Sequence, residues 1–259
     1  MPQTSPIRSA RSARSIALAA CAALLATALP AQTSIGVLGA GEFTSRTVGS
    51  AFDGVSDNID ALRDNTGFRF APAVGIAAER KFNDIVSGAL QFRYETAGYT
   101  YDLDASPTLD PLTGVRPEGN LEFPLGEARY RYEFLALAIG ATEVWGDGRV
   151  RFYAEEYLVP MVYLTSVIDD PLRSAGRTRA RRDNANDFHI GVRGGVGAQT
   201  SFAANMRLRV GVTANYHFTQ TFDDADLREH LFGFGPQVSV SRVFGAAGTP
   251  EGPGEDIYY

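Results

Sequence analysis

The sequence contains one cysteine, one lysine and, beyond its first 31 residues, no apolar run long enough for a membrane-spanning helix. A single cysteine cannot form an internal disulfide, so disulfide-stapled domains are excluded. A helical span needs about 20 apolar residues, which excludes helical membrane proteins. Glycine (27), phenylalanine (16) and tyrosine (11) are abundant. They suit tight turns and aromatic strand ends.

The charge balance argues against nucleic acid as a partner. Residues 1–31 carry three arginines and no acidic residue, and the remaining 228 residues have a formal charge of −9. Nucleic-acid-binding domains usually show the opposite balance. Nearly all the positive charge is arginine, whose planar guanidinium pairs in a two-pronged way with carboxylates and phosphates.

The first 31 residues have the organisation of a secretory signal peptide. Three arginines between residues 8 and 14 precede an apolar run, Ile16–Leu29, and small residues follow up to Ala31. A run of 14 residues is too short to span a membrane. We predict cleavage after Ala31, with Ala28 as the alternative.

Cys21 lies within this run and allows a second interpretation. The residues around it, Leu18–Cys21, resemble a lipobox, which would make Cys21 a lipidated N-terminus. The apolar run continues past the cysteine, however, and this favours cleavage at Ala31. The mature chain then contains no cysteine and needs no disulfide in an oxidising compartment.

Eight later stretches alternate apolar with polar or small residues, which is the period-two pattern of β-strands. Their connectors alternate in length. The tight ones lie at residues 81–84, 146–148 and 203–205. The long ones lie at about 45–66, 103–126, 169–186 and 222–230. Three short turns and four long loops predict an all-β fold, an eight-stranded antiparallel up-and-down transmembrane β-barrel with both ends in the periplasm.

Periodicity alone does not say which face of the strands meets which medium. The alternating runs exceed the 9–11 residues that cross a bilayer, whereas strands of soluble proteins have about 5–6 residues. Strand length, small residues on the polar face and aromatics near strand ends favour the outer membrane of a Gram-negative bacterium. The alternative is a soluble periplasmic, lipocalin-like calyx that binds an apolar ligand. Its cavity would be lined by Phe70, Val74, Phe92, Val210 and Val212.

One residue conflicts with the pattern. The stretch from Phe152 to Pro160 puts Glu156 on its apolar face, which would direct a carboxylate toward lipid. Such a carboxylate is destabilising in a depth-dependent way. A β-bulge near Glu155 and Glu156, or protonation, would relieve the conflict.

From Arg129 onward the chain resembles the PorT-type outer-membrane β-barrel family, which is common in Bacteroidetes. The resemblance rests on a tyrosine–glutamate strand, its hairpin partner, a glycine-rich strand and a closing strand, at Tyr130–Leu137, Phe152–Leu164, Asp187–Gly197 and Phe234–Phe244. The family has no common activity or cofactor, and a few members assist protein secretion. The resemblance therefore implies a fold, a location and, as one expectation, a role as a secretion accessory.

The polar strand faces would place many charged side chains inside the barrel. They are Arg69, Glu79, Arg93, Glu95, Arg129, Arg131, Glu133, Arg151, Glu155, Arg193 and Arg209. An eight-stranded barrel is just wide enough for side chains to fill, and buried charges must be paired to be tolerated. We predict an ion-pair plug, with a narrow ion-conducting path as the alternative.

Neither a metal site nor a catalytic site is predicted. The three histidines, His189, His217 and His230, lie near the outward ends of neighbouring strands, where imidazole and carboxylate could bind a metal. No tight ligand spacing supports that hypothesis. Nucleophilic catalysis needs a serine beside a histidine, and neither Ser166 nor Ser201 is placed near one.

The long loops differ in charge. Five arginines occur between Arg173 and Arg182. That stretch is either a solvated loop or a clamp on lipopolysaccharide phosphates. The first loop carries Asp53, Asp57, Asp60 and Asp64, and it has Ile59 and Leu62 at helical spacing. We expect a short helix there, with an acidic face that could pair with the arginine loop.

The predicted organisation is a cleaved signal peptide at 1–31, an outer-membrane barrel at 32–245 and a flexible tail at 246–259. The tail ends in Asp256–Tyr259, which could serve as a docking peptide. The predicted function is a structural or interaction role in the cell envelope, with the loops as the contact surface. The expected partners are outer-membrane lipid, lipopolysaccharide and an envelope protein. No enzymatic activity, cofactor or metal is predicted, and a monomer is expected. A small diffusion channel is the alternative within the same fold.

Overall fold

The computed structural model describes residues 32–50, 56–103, 126–169, 177–180, 185–203, 205–221 and 227–245. Its eight long strands are β1 (Thr33–Ser50), β2 (Arg69–Lys81), β3 (Val86–Asp102), β4 (Glu127–Trp145), β5 (Val150–Asp169), β6 (Phe188–Ala203), β7 (Met206–His217) and β8 (Leu227–Phe244). A helix, α1 (Ser56–Asp64), and two short strands, Thr66–Gly67 and Arg177–Ala180, complete it. The predicted signal peptide and tail lie outside the described residues. A search of the described residues for an apolar helix of membrane-spanning length finds none.

Consecutive strands pair antiparallel, and β1 pairs with β8 as well as with β2, so the sheet closes into a ring. This confirms the predicted eight-stranded up-and-down barrel. If each residue is replaced in turn by the residue paired with it on the next strand, a path that starts at Tyr153 on β5 goes once around the ring and returns to β5 at Tyr163. The stagger of the barrel is therefore ten residues. At about 3.3 Å per residue and about 4.8 Å between strands, this stagger tilts the strands by about 40°.

The tight turns lie at the end where β1 begins and β8 ends, as predicted. In the turn between β2 and β3, the Asn83 side-chain oxygen accepts hydrogen bonds from the backbone N–H groups of Ile85 and Val86, at 2.9 and 2.7 Å. The Lys81 ammonium donates a hydrogen bond to Asp84 at 2.8 Å and lowers the pKa of that carboxyl group. Between β4 and β5, Gly146 has a φ of 102°, a conformation that favours glycine.

The two faces of the sheet settle the choice between a membrane barrel and a soluble calyx. Outward side chains are apolar and exposed, among them Val37 (61%), Val74 (58%), Val212 (56%) and Phe92 (49%). Inward side chains in the same part of the barrel are buried and include many polar and charged ones, such as Arg93, Glu95, Arg193 and Gln237, alongside small and apolar residues. This arrangement inverts that of a soluble protein and is the one outer-membrane barrels have. The chain is therefore an outer-membrane barrel of a Gram-negative bacterium, and the lipocalin-like calyx is wrong.

The apolar belt has the height of a bilayer. On β5 it extends from Val150 (58% exposed) to Val162 (46% exposed). Those twelve residues, tilted by about 40°, cover roughly 30 Å, the thickness of the hydrocarbon core. Aromatic side chains mark the periplasmic edge at Phe82, Trp145, Phe152, Phe202 and Phe244. Others mark the outer edge at Phe68, Phe188 and Phe218.

Several strands continue beyond this belt and form what we call the protruding end: α1 and the outward portions of β1, β3, β4, β5 and β8. The sequence placed a loop at 45–66, but β1 runs to Ser50; β3 ends at Asp102, where the loop predicted at 103–126 begins. The interior of the protruding end is a buried, largely apolar cluster that includes Val48, Ile59, Leu62, Tyr99, Tyr101, Leu103, Tyr130, Tyr132 and Leu231. Here the medium outside the barrel is water, so the apolar residues face inward.

Helix α1 covers this cluster and confirms the predicted helix in the first loop. Ile59 and Leu62 are buried, at 5% and 0% exposure. The Arg63 guanidinium donates a hydrogen bond to the Val48 carbonyl at 2.8 Å, which fixes the helix against β1. Asp60 contacts Arg63 of its own helix at 3.6 Å. Asp53 and most of the arginine loop lie outside the described residues, so their pairing stays a prediction.

Of the two ways to relieve the conflict at Glu156, a β-bulge or protonation, the β-bulge is not the one that the structure shows. Pairing between β4 and β5 is regular there, with Glu155 opposite Thr142 and Glu156 opposite Ala141. The register shifts higher up, between Glu133 and Phe134, and Leu164 is the extra residue. Glu156 does face outward, as the alternation predicted.

The Thr44 side chain replaces backbone pairing at the point where the pairing of β2 with β3 ends. That pairing extends from Lys81–Ser87 only as far as Ala73–Glu95. Beyond it, the Thr44 hydroxyl of β1 donates to the Gly98 carbonyl at 2.8 Å and accepts from the Gly98 N–H at 3.0 Å. Thr44 thus satisfies both backbone groups of a buried glycine, where a Cβ would lie 1.9 Å from the Tyr130 carbonyl oxygen.

Replacing Thr44 by valine should destabilise the barrel. Valine keeps the shape but leaves the Gly98 N–H and carbonyl buried without these partners, which costs about 1–3 kcal/mol. Urea unfolding in phospholipid vesicles measures the change. Thr47→Val is the control, since that hydroxyl is exposed and makes only a 3.5 Å contact with the His230 carbonyl. Equal effects of the two substitutions would contradict this role for Thr44.

Candidate functional site

The barrel interior is filled by charged and polar side chains in three layers, which we call the periplasmic, middle and outer layers. In the periplasmic layer, Glu79 is shared by two arginines of β7. Arg207 contacts it at 2.8 Å, and Arg209 forms a second ion pair with it. Arg209 also donates to the Gln199 side chain at 2.9 Å, and its guanidinium lies 5.1 Å from the centre of the Tyr153 ring.

The middle layer crosses the whole lumen. Arg93 of β3 contacts Glu42 of β1 at 3.3 Å, and Arg193 of β6 contacts Glu95 of β3 at 2.6 Å. Arg93 also contacts Glu95, with the Nε and Oε2 atoms 3.4 Å apart. All four side chains are at most 6% exposed.

An amide extends the middle layer to the facing wall. Gln237 of β8 accepts a hydrogen bond from Arg93 at 3.2 Å and donates one to Glu155 of β5 at 2.8 Å. The Tyr157 hydroxyl donates to the other oxygen of Glu155 at 3.2 Å. Side chains from five strands thus meet in one network across the lumen.

The outer layer is centred on Arg46 of β1. Its side chain is fully buried, contacts Glu229 at 2.8 Å and donates to the Tyr99 hydroxyl at 2.8 Å. Its guanidinium carbon also lies 3.9 Å from the centre of the Tyr99 ring, a cation–π contact. The cost of removing the Arg46 guanidinium from water is therefore offset by an ion pair, a hydrogen bond and a cation–π contact. Arg46 joins the lumen to the apolar core of the protruding end.

Eight of the eleven predicted interior residues face the lumen. Arg129, Arg131 and Glu133 do not, and their prediction as lumen residues is wrong. Tyr130, Tyr132 and Phe134 occupy the inward positions of that part of β4 and are fully buried. The prediction assumed that the polar face of β4 is inward along its whole length. Above the belt the outside medium is water, so the polar face turns outward.

Sequence reasoning missed Glu42, Arg46, Arg207, Glu229 and Gln237 as members of the interior network. Glycines at three positions of β1 obscured its alternation, and Glu229 fell in a predicted loop. Arg207 and Gln237 alternate with apolar residues in the sequences of β7 and β8, and this alternation is the signal that identifies them. Period-two counting on β1 would have identified Glu42 and Arg46 once the face of Ser34 was known.

The misplaced residues form an ion cluster on the outer wall of the protruding end. The Glu133 carboxylate accepts hydrogen bonds from Arg131 at 3.0 Å and from Arg179 at 2.6 Å. Glu133 is buried, whereas the Arg179 side chain is 65% exposed. Arg129 lies beside them and contacts Glu127 at 3.3 Å. The arginine loop contributes Arg179 to this cluster, because its short strand Arg177–Ala180 pairs with the outward end of β5.

Two of the three histidines come together. The rings of His189 and His217 are buried inside the barrel, 6.3 Å apart, and both pack edge-on against Phe134. His230 lies on the outward face, where it stacks on Tyr216. A search of the described ranges finds no group of three or more histidine, cysteine or acidic residues arranged to bind a metal ion. Asp223, Asp224 and Asp226 lie outside those ranges.

The two serines weighed for catalysis lie at opposite ends of the barrel. Ser166 is buried near the outward end of β5, opposite Tyr132, and Ser201 lies near the periplasmic end of β6, opposite Arg207. The two serines therefore cannot contribute to one site.

The sequence matches no family model and no curated protein. Among solved structures, the outer membrane protein OprG of Pseudomonas aeruginosa is 9% identical, with a TM-score of 0.47, and the match covers 83% of this chain and 97% of OprG. Neisserial surface protein A is 12% identical, with a TM-score of 0.43 and coverages of 81% and 97%. The outer membrane protease OmpT of Escherichia coli is 9% identical, with a TM-score of 0.38 and coverages of 83% and 96%.

These likenesses concern the fold alone. The barrel assignment rests on the closed strand pairing and the two faces of the sheet. One of the three proteins is a protease, and that activity is not carried over to this chain. No finding tests the resemblance to the PorT-type family, which stays a prediction.

Proposed function

We propose that this protein is a non-conducting outer-membrane barrel that acts as an interaction protein of the cell envelope through its protruding end. The observation that carries the proposal is the middle layer, where Arg93, Gln237 and Glu155 link β3, β8 and β5 across the lumen. A barrel whose lumen is filled by linked side chains would act through its outer surface and not through a channel. The folded surface that rises beyond the lipid is the protruding end.

Current measurements in planar bilayers test the first half of this proposal. We expect no discrete openings from the purified protein at physiological salt, because the lumen is filled by paired side chains. An eight-stranded channel protein of known conductance serves as the positive control for insertion. Regular openings by the intact protein would favour the small diffusion channel instead.

We further propose that the outer wall contacts lipopolysaccharide phosphates through arginines. Arg131 and Arg179 converge on the single carboxylate of Glu133, just beyond the apolar belt, so the pair carries more positive than negative charge. Arginine binds phosphate with two parallel hydrogen bonds. The same stretch of sequence, from Arg173 to Arg182, contains four further arginines.

Binding of purified lipopolysaccharide to the protein in detergent measures this contact. The double substitution Arg131→Gln, Arg179→Gln should weaken binding about tenfold, since two charge-assisted contacts are removed. Arg242→Gln on the periplasmic half of β8 is the matched control and should have no effect. Equal loss in both variants, or none in either, would contradict the arginine contact.

A secretion accessory is the finer version of this function, and it is supported by the PorT-type resemblance alone. Under that proposal the protruding end binds an envelope protein. Deleting the gene should then reduce a subset of secreted proteins, and wild-type protein should restore them. Unchanged secretion would remove this version and leave the general interaction role in place.

A further inference from the structure

Glu156 is a carboxylate on the lipid-facing wall at the middle of the membrane. It lies six residues from Val150 and six from Val162, the two ends of the apolar belt on β5. Its side chain faces outward, and among the described residues none donates a hydrogen bond to it. Ionisable groups at this depth are rare in membrane proteins, and by default they mark a functional contact.

The residues that flank Glu156 on the outward wall are mostly small. Its strand neighbours in the same row are Ala141 on β4 and Gly194 on β6. Ala154 precedes it on the same face, and Leu158 follows it. Small residues allow two transmembrane surfaces to approach closely, and polar groups within such a surface add hydrogen bonds. The carboxyl group therefore stands on a patch that another protein wall can reach.

An apolar groove of about 540 Å³ adjoins this patch. It begins at Gly194, the neighbour of Glu156, and is lined further by Val196, Val212 and Phe234. Its position on the outward wall gives the side chains of a facing surface a place to pack. Among the described residues within the apolar belt, the other outward carboxylate is Glu143, which lies two residues from Trp145 at the periplasmic edge, within reach of water.

We infer that the wall around Glu156 is a self-association face, on which two copies of this chain pair their Glu156 carboxyl groups across a two-fold axis. A second copy in the same membrane has the same orientation and therefore carries its Glu156 at the same depth. A two-fold interface brings identical residues near its axis together. One carboxyl group that carries a proton donates a hydrogen bond to the other, which removes an unpaired polar group from lipid in both copies. The sequence alone favoured a monomer.

Single-cysteine crosslinking tests this interface directly. With Cys21 replaced by alanine the chain contains no cysteine, so one introduced cysteine reports one position. Leu158→Cys, beside Glu156, should give a dimer band with a bis-maleimide in native membranes. Val37→Cys is the matched control, since Val37 is equally outward-facing but lies on β1, four strands away around the ring. It should give no band.

The carboxyl group itself is tested in the Leu158→Cys background. Adding Glu156→Leu should reduce the dimer band about tenfold, whereas Glu156→Gln, which can still donate and accept hydrogen bonds, should retain it. Resistance of each unboiled variant to unfolding on a gel shows that the barrel is intact. Crosslinking of equal strength at Leu158 and Val37, no crosslinking at Leu158, or a band that survives Glu156→Leu would overturn the inference.

Discussion

Replacing Arg193 by methionine should lower the free energy of unfolding by about 3–5 kcal/mol, because it leaves a buried carboxylate without its closest partner. The Arg193 side chain is 1% exposed and lies 2.6 Å from Glu95, which is itself 6% exposed. Methionine fills much of the same volume, so the loss reflects charge more than packing. Urea or guanidinium unfolding in phospholipid vesicles measures it.

Arg129→Met is the matched control. Arg129 also pairs with a glutamate, at 3.3 Å, but the two side chains are 58% and 45% exposed. Exposed ion pairs contribute about 0–1 kcal/mol, so we expect a small effect. The double substitution Arg193→Met, Glu95→Gln should recover part of the loss, since it removes the unpaired charge. Similar losses at Arg193 and Arg129 would show that the middle layer is not a buried network.

Replacing Val212 by arginine should destabilise the barrel by about 2–4 kcal/mol, the cost of an arginine on the lipid face at the bilayer midplane. Val212 is 56% exposed on the outward face of β7, midway between Met206 and Phe218. The same substitution on the surface of a soluble protein would be nearly neutral. The size of the destabilisation therefore shows whether this face of the barrel contacts lipid or water.

Val150→Arg is the control for depth. Val150 is 58% exposed, almost the same fraction as Val212, but it lies at the periplasmic edge of the belt. There the cost of arginine falls to about 0–1 kcal/mol. Unfolding in vesicles of defined thickness should separate the two variants. If both substitutions have the same effect, the outward wall is not graded by membrane depth.

The alternation of residues predicted the barrel and its three turns, because lipid and lumen impose opposite demands on successive residues. The length of the strands and the small residues on the polar face predicted which face is outward within the membrane. The same rule failed on β4 above the belt. Tyr130, Arg131 and Glu133 alternate just as regularly as residues within the belt, but water has replaced lipid on the outside. A period of two shows that the two faces of a strand differ in polarity. It does not show which of the two faces points out of the barrel.

The interior network was only partly predictable for a related reason. Arg93, Glu95 and Arg193 follow from the polar faces of their own strands. Their partners Glu42 and Gln237 come from strands far away in sequence, and only the closure of β1 on β8 brings them together. Which carboxylate meets which arginine depends on the ten-residue stagger of the ring, which the sequence does not display.

The protruding end has a consequence for how a partner would bind. Flexible loops lose conformational freedom when they are held in a complex, and that loss subtracts from affinity. Walls made of paired strands, fixed by Arg46 beneath and α1 above, are ordered before any partner arrives. A binder that grips the rigid strand walls between the lipid headgroups and the loops would avoid most of that entropic loss. Such a binder would also tolerate extensive changes in the loop sequences above it.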